Sequence, residues 1–194
     1  MQRIDQQLAF IVEIDKLKNI LRQNTLCDIT RRENDAEHSW HLAMAALVLQ
    51  EHALRPADIS RTLQLALVHD LVEIDAGDTF AYDAVGYESK EAREKAAAER
   101  IFGLLPADQR DHIRGLWDEF EARETPEAAL AVAMDRLVPF LHNFTAKGGT
   151  WIRHGVRKQQ VLTRMQPIYE ATPALWPEIL RRIDIAVAEG FLKE

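Results

Sequence analysis

Apolar residues recur at three- and four-residue spacing along nearly the whole chain, and no convincing stretch of alternating apolar and polar residues competes with them. That repeat buries one face of a helix and has no equivalent in a strand, so it restricts the chain to an all-α architecture, a helical bundle. Helix starts are marked by side chains that satisfy free backbone N–H groups. Asn34 or Asp35 can cap the segment DAEHSWHLAM, with Glu37 near the third position. Pro56, Pro106, Pro126 and Pro173 each fit a first helical position, and Thr125 and Thr172 stand before two of them as N-caps. The pattern predicts helices near 3–23, 35–53, 56–74, 88–104, 106–122, 126–145, 155–170 and 173–189. Only DAGDTFAYDAVGY and TAKGGTWIRHG read as substantial loops, and no linker or repeat divides the chain, so 1–194 reads as a single domain.

Composition excludes several classes of function. A chain of 194 residues with 47% hydrophobic and 28% charged residues has the balance of an ordinary soluble domain. Its apolar run ALVLQEHAL is broken by Gln50, Glu51 and His52, far short of a membrane span. The first helix carries charge too often for a secretory signal, and Cys27 stands alone, so the expected compartment is the cytoplasm. A net charge of -7 argues against binding long nucleic acid, whereas a small phosphorylated ligand needs only local positive charge.

Against this apolar background a few polar residues stand out. His69 and Asp70 read as mid-helix in LQLALVHDLVEIDAGD, where an uncompensated ionisable pair is costly. His38 in ENDAEHSWHLAM and Asp135 in AVAMDRLVPFL are again ligand-type residues inside apolar helical runs. Each alone is as well explained as a satisfied core residue; the ordered set H…HD…D points to a metal. Two imidazoles with two carboxylates suit Mn, Fe, Co, Ni or Zn better than Ca or Mg. Glu73 shares a helix face with His69, four residues away, and His41, three residues from His38, is a reserve ligand. Phosphate also needs cations. Arg31 and Arg32 precede the His38 helix and can present guanidinium groups near its N-terminus. Lys147, in the turn Lys147-Gly148-Gly149-Thr150-Trp151, can cover a base or phosphate, or serve a dimer-contact loop. Pro139 removes the usual donor to the Asp135 carbonyl, so a kink is expected there. Trp40, Phe120 and Phe140 read as core.

Taken together, R-R-E-N-D-A-E-H-S at Arg31 to Ser39, H-D-L-V-E at His69 to Glu73, Gly77-Asp78 and the lone Asp135 resemble the HD-domain metal-dependent phosphohydrolases. Within them the order and spacing resemble the small 5'-deoxynucleotidase-like branch, over most of the chain. The resemblance implies an all-helical HD domain, often a homodimer, with His38, His69, Asp70 and Asp135 as metal ligands. It also implies Glu73 as the acid of the motif beside the HD pair and Asp78 as a carboxylate near the reacting phosphate. Arg22 is similar to the substrate-binding arginine that this branch places before its EHS helix. The aromatic residue expected beside it is Gln23 here, at a position that bears on sugar discrimination. Two-metal relatives need further histidines between the HD pair and the last Asp; only His112 lies there, so one divalent ion is implied. The resulting expectation is hydrolysis of a small phosphomonoester, foremost a (deoxy)nucleoside 5'-monophosphate. The alternatives are triphosphate removal from a nucleotide, hydrolysis of another small phosphate ester, or a non-catalytic metal-bound nucleotide sensor.

Overall fold

The computed structural model of the protein describes residues 2–194. It is helical apart from one hairpin. The chain opens with α1 (Arg3–Ile14) and a 3₁₀ turn at Asp15–Asn19. It then forms β1 (Leu21–Thr25) and β2 (Arg32–Asn34), paired antiparallel with Leu21 opposite Asn34 and Thr25 opposite Arg32. A helix to residue 23 and the absence of strands were expected, and the hairpin corrects both. Its strands are mostly polar, so no period-2 signal marks them. They are held instead by side chains: Asp28 accepts from the Thr30 backbone N–H at 3.1 Å, and Arg32 donates to the Leu21 carbonyl at 2.7 Å and to that of Arg22.

α2 (Asp35–Leu49) begins as expected, the Asn34 side chain accepting from the Glu37 N–H at 3.0 Å. α3 (Ile59–Val68) starts later than Pro56 because Asp58 is its cap, accepting from Ser60 and Arg61. The largest departure follows. α3 does not run to 74; after the His69 N–H bonds the Leu65 carbonyl, the chain tightens through i→i+3 bonds from Leu71 to Val68 and from Glu73 to Asp70. A short α4 (Glu73–Ala76) then stops at Gly77, whose φ of 74° suits a residue without a side chain. His69 and Asp70 therefore sit at a helix end rather than mid-helix.

α5 (Ala84–Phe102) is capped by Asp83, and α6 (Ala107–Ala122) begins after Pro106. α7 (Pro126–Thr145) has the expected limits, with Thr125 capping the Ala128 N–H at 3.1 Å and the helix continuing across Pro139. Part of the expected loop after it is α8 (Gly149–His154), followed by α9 (Lys158–Ala171). α10 (Trp176–Ala188) starts after a 3₁₀ turn at Pro173–Leu175; Thr172 does not cap it, because its hydroxyl bonds the Ile168 carbonyl.

Two apolar clusters form the core. One gathers Phe10, Leu65, Ile101, Phe102, Trp117 and Phe120, and the other Leu42, Met134, Phe140, Trp151, Ile168 and Ile183. α7 contributes to both, Ala131 and Val132 to the first and Leu130 and Leu137 to the second. Asp135 thus rides on the most deeply embedded helix. Phe120 and Phe140 are core residues as expected, but Trp40 is 63% exposed on the outer face of α2. Among the described residues no helix is long and apolar enough to cross a membrane.

Candidate metal centre

His38 projects from the second turn of α2, His69 and Asp70 from the end of α3, and Asp135 from the middle of α7. The three elements bring them together, and all four are buried. His38 Nε2 lies 3.0 Å from Asp135 Oδ1, and His69 Nε2 lies 3.0 Å from Asp70 Oδ2 and 4.0 Å from Asp135 Oδ1. The ligand atoms of His38, His69 and Asp135 all fall within 4.8 Å of one another, a spread that bonds of about 2 Å to one ion can draw together.

The donor set fits a cation. His69 Nδ1 donates to the Ala66 carbonyl at 2.9 Å, so the proton of the neutral ring is on Nδ1 and the Nε2 lone pair faces Asp70 and Asp135. That Nε2 is buried and, despite its closeness to Asp70, makes no aligned hydrogen bond. At His38, burial and Arg22 oppose protonation, but Asp135 and Glu33 outweigh them and push the pKa up to about 9. At Asp135, burial is outweighed by Arg136 and His38, which hold the carboxyl well below its usual range. Asp70 is likewise held down, burial being overcome by His69 and Arg22. The cluster stabilises positive charge at this spot, where a divalent ion and the His38 proton compete.

Arg22, on β1, is the electrostatic centre of the neighbouring carboxylates. Its Nη1 lies 2.8 Å from Asp70 Oδ2, 3.0 Å from Asp35 Oδ1, 3.9 Å from Glu73 Oε2 and 4.0 Å from Asp78 Oδ1. Burial opposes its charge, yet these carboxylates raise its pKa well above the usual value. Burial pushes Asp35 up to about 6 and raises Glu73 and Asp78 as well, with Asp70 adding repulsion. Glu73 Oε2 is buried without a hydrogen-bond partner.

Behind His38 lies a second group. Glu33 Oε2, on β2, is 3.6 Å from His38 Nδ1 and 3.6 Å from His142 Nδ1. Burial holds the His142 pKa down. His41 belongs to this group through its contact with His142, ring centroids 5.3 Å apart, and not to the set around Asp135.

In front of the four residues His38, His69, Asp70 and Asp135 opens a cavity of about 320 Å³, lined by His69, Asp70, Glu73, Asp78 and Asp135 and carrying Arg136 and Arg164 in its wall. A smaller recess shares Arg22, Asp78, Asp135, Arg136 and Arg164 with it and adds Gln23, Tyr82 and Trp151. Arg136 bonds Asp135 Oδ2, whereas Arg164 makes only a 3.4 Å contact with the Tyr87 hydroxyl. Burial, and then the charge of Arg136, pull the Arg164 pKa down.

The residues singled out in the sequence therefore divide. His38, His69, Asp70, Asp135, Glu73, Asp78 and Arg22 converge. Three cations lie outside both cavity walls. Arg31 is exposed and pairs with Glu37 at 2.9 Å, Arg32 is spent on the β1 carbonyls, and Lys147 is exposed, 4.0 Å from Glu189. Each lost its place for a local reason: the hairpin turns Arg31 outward, uses Arg32 as a strand clamp, and Lys147 sits on the outer side of the turn into α8. Glu33, Arg136 and Arg164 were not anticipated. Arg136 had a signal, a second charge beside Asp135 in an apolar run; Arg164 had none.

The model of the HD-domain family matches residues 14–176. Among curated proteins the chain is similar to 5'-deoxynucleotidase HDDC2 of Danio rerio, 35% identical over 135 residues, covering 69% of this chain and 66% of that protein. It is 32% identical to 5'-deoxynucleotidase HDDC2 of Homo sapiens over 130 residues, covering 66% and 62%. The chain thus spans slightly less than two thirds of the length of these relatives. Among solved structures it is similar to a "Predicted metal-dependent phosphohydrolase from Magnetospirillum magnetotacticum MS-1", with a TM-score of 0.94 and 49% identity over 99% of this chain and 96% of that one.

Proposed function

Because this chain belongs to the HD-domain family, we propose that it is a divalent-metal phosphohydrolase that splits a nucleoside 5'-monophosphate, with water, into nucleoside and inorganic phosphate. The observation that carries this reading is the convergence of His38, His69 and Asp135 ligand atoms, with Asp70 alongside, at the floor of an open cavity. The relatives, a 5'-deoxynucleotidase and a predicted metal-dependent phosphohydrolase by name, support the substrate class and the metal.

His38, His69, Asp70 and Asp135 would hold one ion of the Mn, Fe, Co, Ni or Zn type. Such an ion supplies Lewis acidity, lowering the pKa of water and withdrawing charge from a phosphoryl oxygen. The protein supplies the rest. Arg22 neutralises the carboxylates, so that Asp70 stays ionised and directed at the centre while Glu73 and Asp78, with raised pKa values, retain affinity for a proton. Glu73, in the cavity wall with its buried Oε2 free of a hydrogen-bond partner, would accept the proton of the attacking water, and Asp78 would stand beside the reacting phosphate. Glu33 orients the His38 ring through Nδ1.

A homodimer and a cytoplasmic setting belong to the same reading. The first is supported by an exposed apolar stripe on α2 formed by Trp40, Met44 and Val48, and the second by the unpaired Cys27.

Phosphate release tests the function directly. Metal-stripped protein is reloaded with Mn, Co, Ni, Zn or Mg and offered deoxy- and ribonucleoside 5'-monophosphates, triphosphates and simple phosphoesters. Metal-dependent release from monophosphates is expected. Release from triphosphates alone, or none from any substrate, overturns the nucleotidase reading.

A further inference from the structure

Of the charged side chains in the cavity wall that are withdrawn from solvent, Arg164 is the least compensated; Arg123, also unpaired among the described residues, is exposed. Arg164 lies on α9, which packs against α7, and its guanidinium faces the same two recesses as that of Arg136 on α7. Among the described residues it enters no ion pair, and its one hydrogen bond is the 3.4 Å contact with Tyr87. Arg136 has a partner, Asp135 Oδ2, but that carboxylate also faces His38 and His69 as a ligand of the metal centre. Of the two neighbouring guanidiniums, one has only a carboxylate whose charge is already claimed and the other has none. A partly buried arrangement of that kind is unfavourable by itself, and an anion held between the two forks relieves it. Arg22 cannot take this role while it is surrounded by Asp35, Asp70, Glu73 and Asp78.

We propose that Arg136 and Arg164 form the oxyanion-binding wall of the site, taking the phosphoryl oxygens of the monoester dianion and of the inorganic phosphate product. Two planar forks match the oxygens of a dianion better than one point charge does. The inference rests on the phosphohydrolase reading and assigns the role first expected of Arg31 and Arg32 to residues more than a hundred positions further along the chain.

The test is calorimetric titration of inorganic phosphate into the metal-loaded protein, comparing wild type with Arg164→Met, Arg164→Gln and the control Arg181→Gln, at an exposed arginine of α10 that pairs with Glu178 and lines neither recess. Metal content and thermal melting are measured for each. Both Arg164 variants should bind phosphate about tenfold or more weakly, with metal content unchanged and the control unaffected. Met replaces the buried charge with an apolar chain, so if Gln fails to fold, Met carries the comparison. Wild-type affinity in a folded Arg164 variant overturns the proposal, as does absence of phosphate binding by the wild type. Failure of the hydrolase reading would show separately, as missing phosphate release, because the titration needs no turnover.

Discussion

Glu33 Oε2 lies 3.6 Å from His38 Nδ1, while Nε2 of the same ring lies 3.0 Å from Asp135 Oδ1. Each ring nitrogen thus faces a carboxylate, and Glu33, though too far for a hydrogen bond, favours a proton on Nδ1, which leaves the Nε2 lone pair for an ion. Such outer carboxylates set both ring orientation and ligand basicity. Glu33→Gln should weaken metal binding by about 10–100-fold, measured by chelator competition, without unfolding the protein. Affinity equal to wild type would show that His38 needs no such support.

Arg22 stabilises the fold as much as the site. Replacing it with Met strands Asp35 and Asp70 opposite Glu73 and Asp78 with no cation between them. The metal-free variant should lose about 3–5 kcal/mol in urea unfolding, the usual cost of removing one member of a buried ionic network. Adding metal should recover part of the loss. A variant as stable as wild type would mean that the carboxylates are already neutral in the folded protein.

Glu73→Gln separates chemistry from assembly. Glu73 is close to Arg22 but outside the group of His38, His69 and Asp135, so metal content should be unchanged. kcat should fall by about 10²–10⁴-fold, the range for losing a general base. A rise in KM with kcat intact would give Glu73 a binding role instead.

Tyr82 reports on the enclosure of the smaller recess. Burial pushes its phenol up to about 12, above its usual value of 10.0. The folded state therefore holds that proton more tightly than the unfolded chain does. Its contribution to stability is complete below pH ~10 and is lost as the pH rises toward ~12. Ultraviolet titration should show one of the three tyrosines ionising late, and Tyr82→Phe should abolish that component. Three tyrosines titrating together near the usual value would mean that the recess is open to solvent.

Much of this was written locally in the chain. α7 was legible because Thr125, Pro126 and an unbroken apolar repeat agree at every level. The convergence of His38, His69, Asp70 and Asp135 was legible because each is a charged or imidazole side chain where an apolar one would pack better. The hairpin was not, since its polar strands are fastened by Arg32 from across the turn. Nor was the end of α3 at His69, because LVHDLVEI continues the helical repeat while the backbone changes to i→i+3 bonding. Arg164 was invisible for another reason: only the packing of α9 on α7 gives it a place in the site.

Every role proposed for the cavity depends on four side chains holding one divalent ion. Elemental analysis of purified protein after gel filtration in metal-free buffer measures that binding most directly, on wild type, His69→Ala and Asp135→Asn. About one transition-metal ion per chain is expected in wild type and almost none in either variant, with folding retained. Wild-type protein that retains no ion after reloading, or variants that retain as much as wild type, would contradict it.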